Sequence, residues 1–299
     1  MCSWGKTTPS TKHSPNDSIM TNSQVINGNN SSEFLFAPDD RSKKYEINGF
    51  GGDDNIWSHM SDDTVRGGEG NDEILAFDGN DYIEGNQGND IIYGHQGDDN
   101  VYGGQGDDKL YGNQGVDFLY GNNGNDVIYG GQGDDLIEGG QGHDLIEGGQ
   151  GHDILFGNKG DDWLNGGDGI DAIWGGQGND LIAGGNGDDW LNGNLGNDVI
   201  YGDNGNDWIN GGDGDDDIYG GEGSDTFQLS KGFDVIHDYN AWEDGQFIID
   251  TETFNIFDID ILSTVADGQS QVAIWHEHGI TTLIGVTGAE FNWSSIDYV

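Results

Sequence analysis

An aspartate stands at every ninth residue from Asp54 to Asp225, twenty times without a miss. It is the sixth residue of a nine-residue unit that runs from Gly49 to Gln228 with no insertion, as in GGQGDDLIE (130–138) and GGQGNDLIA (175–183). The fourth residue is glycine everywhere except Ser61, and the eighth is always apolar, for example Ile74, Val101, Leu119, Ile146, Leu191, Ile218 and Phe227. The fifth varies (Asn71, Asp98, Val116, His143, Ile170), so a merely solvated acidic face does not account for an invariant sixth. Carboxylates at a fixed interval, each beside a glycine turn that exposes its carbonyls, are hard oxygen donors. Their chemistry is ligation of a divalent cation, and calcium takes 6–8 such oxygens at 2.3–2.6 Å.

The elements that position these carboxylates follow from the rest of the unit. From the fifth unit onward the second position holds only Gly, Asn, His or Asp (Asn86, His95, Gly104, Asn113 through Asp203 and Gly221). These types tolerate a left-handed backbone, so residues one to six are expected to form a tight turn of fixed conformation. Positions seven to nine are β-branched, aromatic or leucine (Val199-Ile200-Tyr201), which predicts a very short strand with position eight inward and its neighbours outward. Turn, strand, turn, strand makes an 18-residue coil. Ten coils stacked in parallel at the ~4.8 Å inter-strand spacing make a rod roughly 45–50 Å long. Stacking sets the aspartates in two files at coil spacing, in a tract whose net charge is −36. Carboxylates that close repel unless a cation lies between them. If each ion bridges a unit to the one stacked on it, eighteen sites result, and eighteen dications carry +36.

Composition bounds the remaining readings. The 299 residues carry 56 acids against 9 bases, net −47, with 56 glycines, 3 prolines and 1 cysteine. So acidic a chain is unsuited to nucleic acid or an anionic membrane surface. A single cysteine excludes a disulfide framework. No apolar run approaches the ~20 residues that span a bilayer, and Met1 to Pro15 lacks the apolar core of a secretory signal peptide. Residues 1–48 are Ser/Thr/Asn-rich and read as a leader, disordered over 1 to about 32, with Phe34-Leu35-Phe36 covering the open end of the stack. Residues 49–228 are the repeat domain. Residues 229–299 lose the period, alternate apolar with polar (Gln271-Val272-Ala273-Ile274-Trp275) and read as a small β-rich cap. The fold class expected is all-β.

The unit resembles the RTX (repeats-in-toxin) nonapeptide G-G-x-G-x-D-x-U-x, with U large and apolar. The likeness covers 180 of 299 residues and is specific in the eighteen units from Gly67 on; the first two, from Gly49 and Ser58, are degenerate. It implies a right-handed parallel β-roll that folds on binding calcium. It also implies calcium ligation at Asp72, Asp81, Asp90, Asp99, Asp108, Asp117, Asp126, Asp135, Asp144, Asp153, Asp162, Asp171, Asp180, Asp189, Asp198, Asp207, Asp216 and Asp225. At Asp54 and Asp63 the turn departs from the pattern (His59, Met60, Ser61), which puts sites there in doubt. The tail is similar to the family's capping segment at Asp225-Thr226-Phe227, Asp234-Val235-Ile236 and Asp238-Tyr239. Leu283 to Val286 and Ile296-Asp297-Tyr298-Val299 are similar to its closing strands and uncleaved type I secretion signal. The resemblance thus implies export by type I machinery to an extracellular location. An apo chain this acidic stays unfolded where calcium is scarce and folds outside, where sites of the ~10⁻⁴–10⁻³ M class fill.

Other features carry alternatives. Gln at position three (Gln87, Gln96, Gln105, Gln114, Gln132, Gln141, Gln150, Gln177) reads as a side-chain ladder along the rod or as a ligand-facing array. Outward aromatics recur at 18 (Tyr93, Tyr111, Tyr129; Tyr102, Tyr120; Phe156, Trp174), with Trp163, Trp190 and Trp208 besides; they pack across strands or bind glycans. Calcium-rolled ice binders present Thr in the turn, where this chain has Gln, Asn and Asp. His276-Glu277-His278 puts two imidazoles on one side of a strand but lacks a third ligand and the helical H-E-x-x-H. His143 and His152, in the variable fifth position, read as surface residues, and Cys2 lacks a lipobox. No nucleophile–base–acid constellation or phosphate loop stands out. A hydrolase on the cap using His237, Asp238 or His276 is the weakest reading. The function expected is a secreted, non-enzymatic calcium-binding protein with a structural or matrix role, or else a calcium-dependent module that attaches to a surface or an acidic polysaccharide.

Overall fold

The computed structural model describes residues 23–38, 40, 42–228, 230–239, 247–249, 260–266, 269–276, 279–284 and 296–298. It is all-β: among the described residues every regular element is a strand, and none is a helix. Along the repeats successive strands alternate between two sheets, of 14 and 15 strands among the described residues, so each pair of units closes one turn of a parallel solenoid. The register is the sequence period. Leu110 lies beside Ile92 and Ile128, and Leu119 beside Val101 and Ile137, each 18 residues away.

The strands are longer than positions seven to nine alone would suggest. Each interior strand has six residues, such as Val127–Gln132 and Leu181–Asn186, and continues through the first three residues of the next unit. The reason lies in the glycines. With no side chain at position one, the backbone keeps pairing across it, and only positions four to six turn. Position two has positive φ as expected, at Gly104 and Gly131 and also at Asn86, His95, Asn113, Asn122, Asn158, Asn194 and Asp203. Phe50 and Phe77 share that conformation (φ 76 and 75) although neither residue type favours it. The Phe77 ring stacks on that of His95, 5.4 Å away at 12°.

The interior is two rows of aliphatic side chains, one from each sheet. Ile74, Ile83, Ile92 and each eighth-position residue through Ile209 are at most 1% exposed. One inward side chain per nine residues makes a thin core, so polar contacts in the turns must hold much of the fold.

The stack extends past the twenty exact units at both ends. Ser23–Asn27 pairs in parallel with Lys44–Gly51, so residues 23–32, expected to lack order, include a coil strand. The 18-residue period hides this coil because Val25 pairs with Glu46 and Leu35 with Ile56, an offset of 21. Phe34–Phe36 forms the end strand of the second sheet. At the other end Gly232, Asp234 and Ile236 occupy positions four, six and eight of one more unit. Gly279–Ile284 then pairs in parallel with Gly232–Ile236, and Gln269–His276 and Asp260–Ala266 add an antiparallel meander. Ile296–Tyr298 pairs in parallel with Phe247–Ile249. Cys2, residues 1–22, Glu277, His278 and Val299 lie outside the described residues.

Candidate metal centre

Each sixth-position carboxylate turns into the solenoid wall. Asp72, Asp81, Asp90 and the rest of the predicted set through Asp225 are at most 3% exposed. One oxygen is bound in the same way in each. The Asp117 N–H donates to Oδ1 of Asp135 (2.8 Å), and the Asp135 N–H donates to Oδ1 of Asp153 (2.8 Å). The pattern repeats at 18-residue intervals from Asp54 onward. The other oxygen, Oδ2, is buried and has no hydrogen-bond partner in all eighteen predicted ligands, and in Asp54 as well. A buried carboxylate oxygen with nothing bound costs several kcal/mol if charged. Among the described residues this lack recurs along both files.

The space beside Oδ2 is kept open by the glycine at position one, in every unit of the predicted set except that of Asp81, where Ala76 stands. A Cβ built on Gly130 would lie 2.4 Å from Asp135 Oδ2 and 2.6 Å from the Gly148 carbonyl oxygen of the stacked coil. Gly139, Gly148, Gly166 and Gly175 would put a Cβ as close to their own aspartates. The cradle thus lies between a carboxylate oxygen and a backbone carbonyl of two successive coils. Among the described residues no three His, Cys, Asp or Glu side chains converge as a metal cluster. A cation here must therefore take many of its ligands from backbone carbonyls. An all-oxygen donor set with few side chains suits a hard cation such as calcium and not zinc or copper.

Burial works against the charged form. It pushes Asp135 up to about 8, Asp108 to about 8, Asp90 and Asp198 to about 7, and Asp117 to about 6 from the ordinary 3.8. Asp81 rises furthest, to about 9; the residue at position one of its unit is Ala76, itself fully buried. A carboxyl whose folded value lies above its unfolded value stabilises the fold while protonated. That contribution is complete below about 4 and is lost as pH rises through the folded values. The metal-free chain is therefore expected to gain β structure on acidification to about pH 4 and to lose it between pH 4 and 8. Circular dichroism in chelator across that range checks this; a flat signal would contradict it.

The fifth position has a role that its variability hid. Where it is Asn, Asp or His, its side chain accepts a hydrogen bond from the fifth-position N–H of the next coil: Asn125 from His143 N–H (2.8 Å), Asp161 from Asn179 N–H (2.8 Å), Asn179 from Asn197 N–H (2.9 Å). His143 and His152 take part through Nδ1, accepting from the Asp161 and Ile170 N–H groups, so they are ladder members with exposed rings. The sixth-position carboxylates accept from the preceding coil and the fifth-position groups from the following one. Two successive turn amides are thereby satisfied from opposite sides. Several side chains can accept one hydrogen bond, so no single residue type marks this position.

The outward aromatics stack on one another. Tyr93–Tyr111, Tyr102–Tyr120 and Phe156–Trp174 have centroids 4.7, 4.8 and 4.9 Å apart at 9°, 6° and 12°. Tyr201, Tyr219 and His237 continue the same arrangement. Position-three glutamines lie in register, Gln96 beside Gln114 and Gln114 beside Gln132.

Comparison with known proteins agrees with the turn geometry. The family described as "RTX calcium-binding nonapeptide repeat (4 copies)" matches residues 46–74, 60–92, 75–110, 111–146, 138–173, 165–200, 174–207, 192–227 and 201–236. The chain belongs to the RTX calcium-binding repeat family. No curated protein matches its sequence. Among solved structures, the RTX chain is similar to the extracellular lipase LipA from Serratia marcescens at 21% identity and TM-score 0.33, over 76% of this chain and 44% of the lipase. It thus spans less than half of the lipase's length. A hyperactive, Ca2+-dependent, β-helical antifreeze protein from an Antarctic bacterium shares 20% identity at TM-score 0.36, over 74% and 83%. The AlgE6R3 subunit of the Azotobacter vinelandii mannuronan C5-epimerase shares 24% at TM-score 0.23, over 46% and 80%. Among the described residues no helix is long and apolar enough to cross a membrane.

Proposed function

We propose that this RTX protein is a secreted, non-enzymatic structural protein whose folding is switched by extracellular calcium. The ions are held by the sixth-position carboxylates Asp72 to Asp225 together with turn carbonyls. The observation that carries the reading is the row of buried, unpartnered Oδ2 atoms beside glycine-lined cradles. A fold with this defect at every turn is complete only when a cation joins the coils. Bound calcium supplies positive charge and oxygen coordination between stacked turns; the chain supplies the carboxylate, the carbonyls and the open space. Low calcium leaves the chain extended for passage through a type I exporter, and millimolar calcium outside completes it. A calcium titration of the purified chain, followed by circular dichroism and by hydrodynamic radius, tests this reading. A compact β form near millimolar calcium is the expected result, and compaction independent of calcium would refute it.

Calcium-dependent attachment to an acidic polysaccharide is the second reading, and Trp163 favours it. This ring is 49% exposed and its strand neighbours are Leu145 and Leu181, so its face is not taken up by a stacked aromatic. The paired tyrosines spend their faces on one another and are poor sugar platforms. If attachment is the role, Trp163→Ala weakens binding to an acidic polysaccharide about tenfold, as expected for loss of one stacking contact of ~1–1.5 kcal/mol. Under the structural role it leaves any binding unchanged. Surface plasmon resonance at fixed millimolar calcium separates the two.

A further inference from the structure

The two carboxylate files do not end alike. Asp54 lies in the degenerate first unit, yet it has the geometry of an interior member. It is 1% exposed, its Oδ1 accepts the Glu33 N–H at 2.8 Å, and its Oδ2 has no partner. Its position-one residue is Gly49, where a Cβ would lie 2.5 Å from Oδ2 and 2.3 Å from the Gly67 carbonyl oxygen. The cradle is as open as that of Asp135.

Asp63 and Asp234 are equally buried but already satisfied. Asp63 Oδ1 accepts from the Tyr45 N–H (2.7 Å) and from Ser61 Oγ (2.9 Å), and Oδ2 accepts the His59 N–H at 3.2 Å. Position one of its unit is Ser58, a buried residue whose hydroxyl donates to the Ala76 carbonyl at 2.6 Å. At the other end Asp234 Oδ2 accepts from Ser230 Oγ at 3.0 Å, and Oδ1 accepts the Asp216 N–H at 3.3 Å.

We propose that the calcium files have built-in ends. Asp54 is a calcium ligand despite its irregular repeat, whereas Asp63 and Asp234 are stops whose second oxygen is occupied by a donor of the chain itself. A cation entering at a stop must displace a hydrogen bond that the fold already makes, and at Asp63 it must also displace Ser58 from the place a glycine leaves open elsewhere. At Asp54 it displaces nothing and relieves an unpartnered buried oxygen. One file therefore opens at Asp54 and closes at Asp234, and the other begins only beyond Asp63. This inference rests on the calcium reading above and sharpens it to particular coils.

Native mass spectrometry of the full chain in millimolar calcium counts the bound ions. Asp54→Asn is expected to lower the count. Asp63→Asn and Asp234→Asn are expected to leave the count unchanged. The pair Ser58→Gly with Ser61→Gly, which restores the regular turn, is expected to add one ion. All of these changes lie in terminal coils, and circular dichroism verifies that the remaining coils fold. An unchanged count in Asp54→Asn, or a loss in Asp63→Asn or Asp234→Asn, overturns the proposal while leaving calcium-driven folding intact. A wild-type chain that retains no calcium overturns both.

Discussion

Dialysis against EGTA at neutral pH is expected to dissolve the solenoid, with loss of the β signal by circular dichroism, an expanded hydrodynamic radius and rapid proteolysis. Calcium returned to millimolar levels should restore all three. The expectation follows from what the coils lack. Their interior is two thin rows of aliphatic side chains, and against them stand two files of buried carboxylates, which from Asp72 to Asp225 each have one unpartnered oxygen. At pH 7 the chain without metal must either protonate these groups, several of which burial raises only to about 6, or leave them charged and desolvated. Neither is favourable, so unfolding into water is. Magnesium should be a poor substitute, because it demands a tighter octahedral shell at 2.0–2.1 Å and gives up its waters reluctantly. A chain that stayed protease-resistant in EGTA would show that packing and backbone ladders suffice alone.

The second large effect concerns a glycine that touches no ligand oxygen of its own. Gly187 holds position four with φ 144, and a Cβ there would sit 1.3 Å from the Gly169 carbonyl oxygen of the preceding coil. Gly187→Ala meets two penalties at once: a backbone conformation closed to L-residues, and an overlap that only separation of the coils relieves. Because the coils stack in register on both sides, the separation would spread to neighbouring cradles. The expected loss is on the order of 3–5 kcal/mol, read as a several-fold rise in the calcium concentration at the folding midpoint or as loss of folding in the central coils. Ser61, the one natural departure at this position, stands in the second unit, near the end of the stack, where the preceding residues His59 and Met60 are irregular too. A Gly187→Ala chain that folded at the wild-type calcium midpoint would show that the coils yield more easily than their spacing implies.

Much of this was legible in the sequence because a solenoid writes its geometry as a period. Eighteen residues per coil puts like on like. The identity of position eight reported the core, position six reported the buried carboxylates, and Gly, Asn, His and Asp at position two reported the left-handed backbone, all from chemistry that acts within one unit. The longer strands were not legible, because whether a glycine pair turns or pairs depends on the neighbouring coil. Nor was the fifth-position ladder, since many side chains can accept a single amide hydrogen. The coil containing Ser23–Asn27 was hidden by three extra residues that a fixed period cannot absorb, though a solenoid can carry them in an outer loop. Asp54 and Asp63 show the division most clearly. Both are aspartates at the sixth position of irregular units, and local sequence set them together. Only the folded chain, by placing Gly49 beside one and Ser58, His59 and Ser61 beside the other, distinguished an open oxygen from a satisfied one, because a hydrogen bond is decided by where the donors come to rest in space.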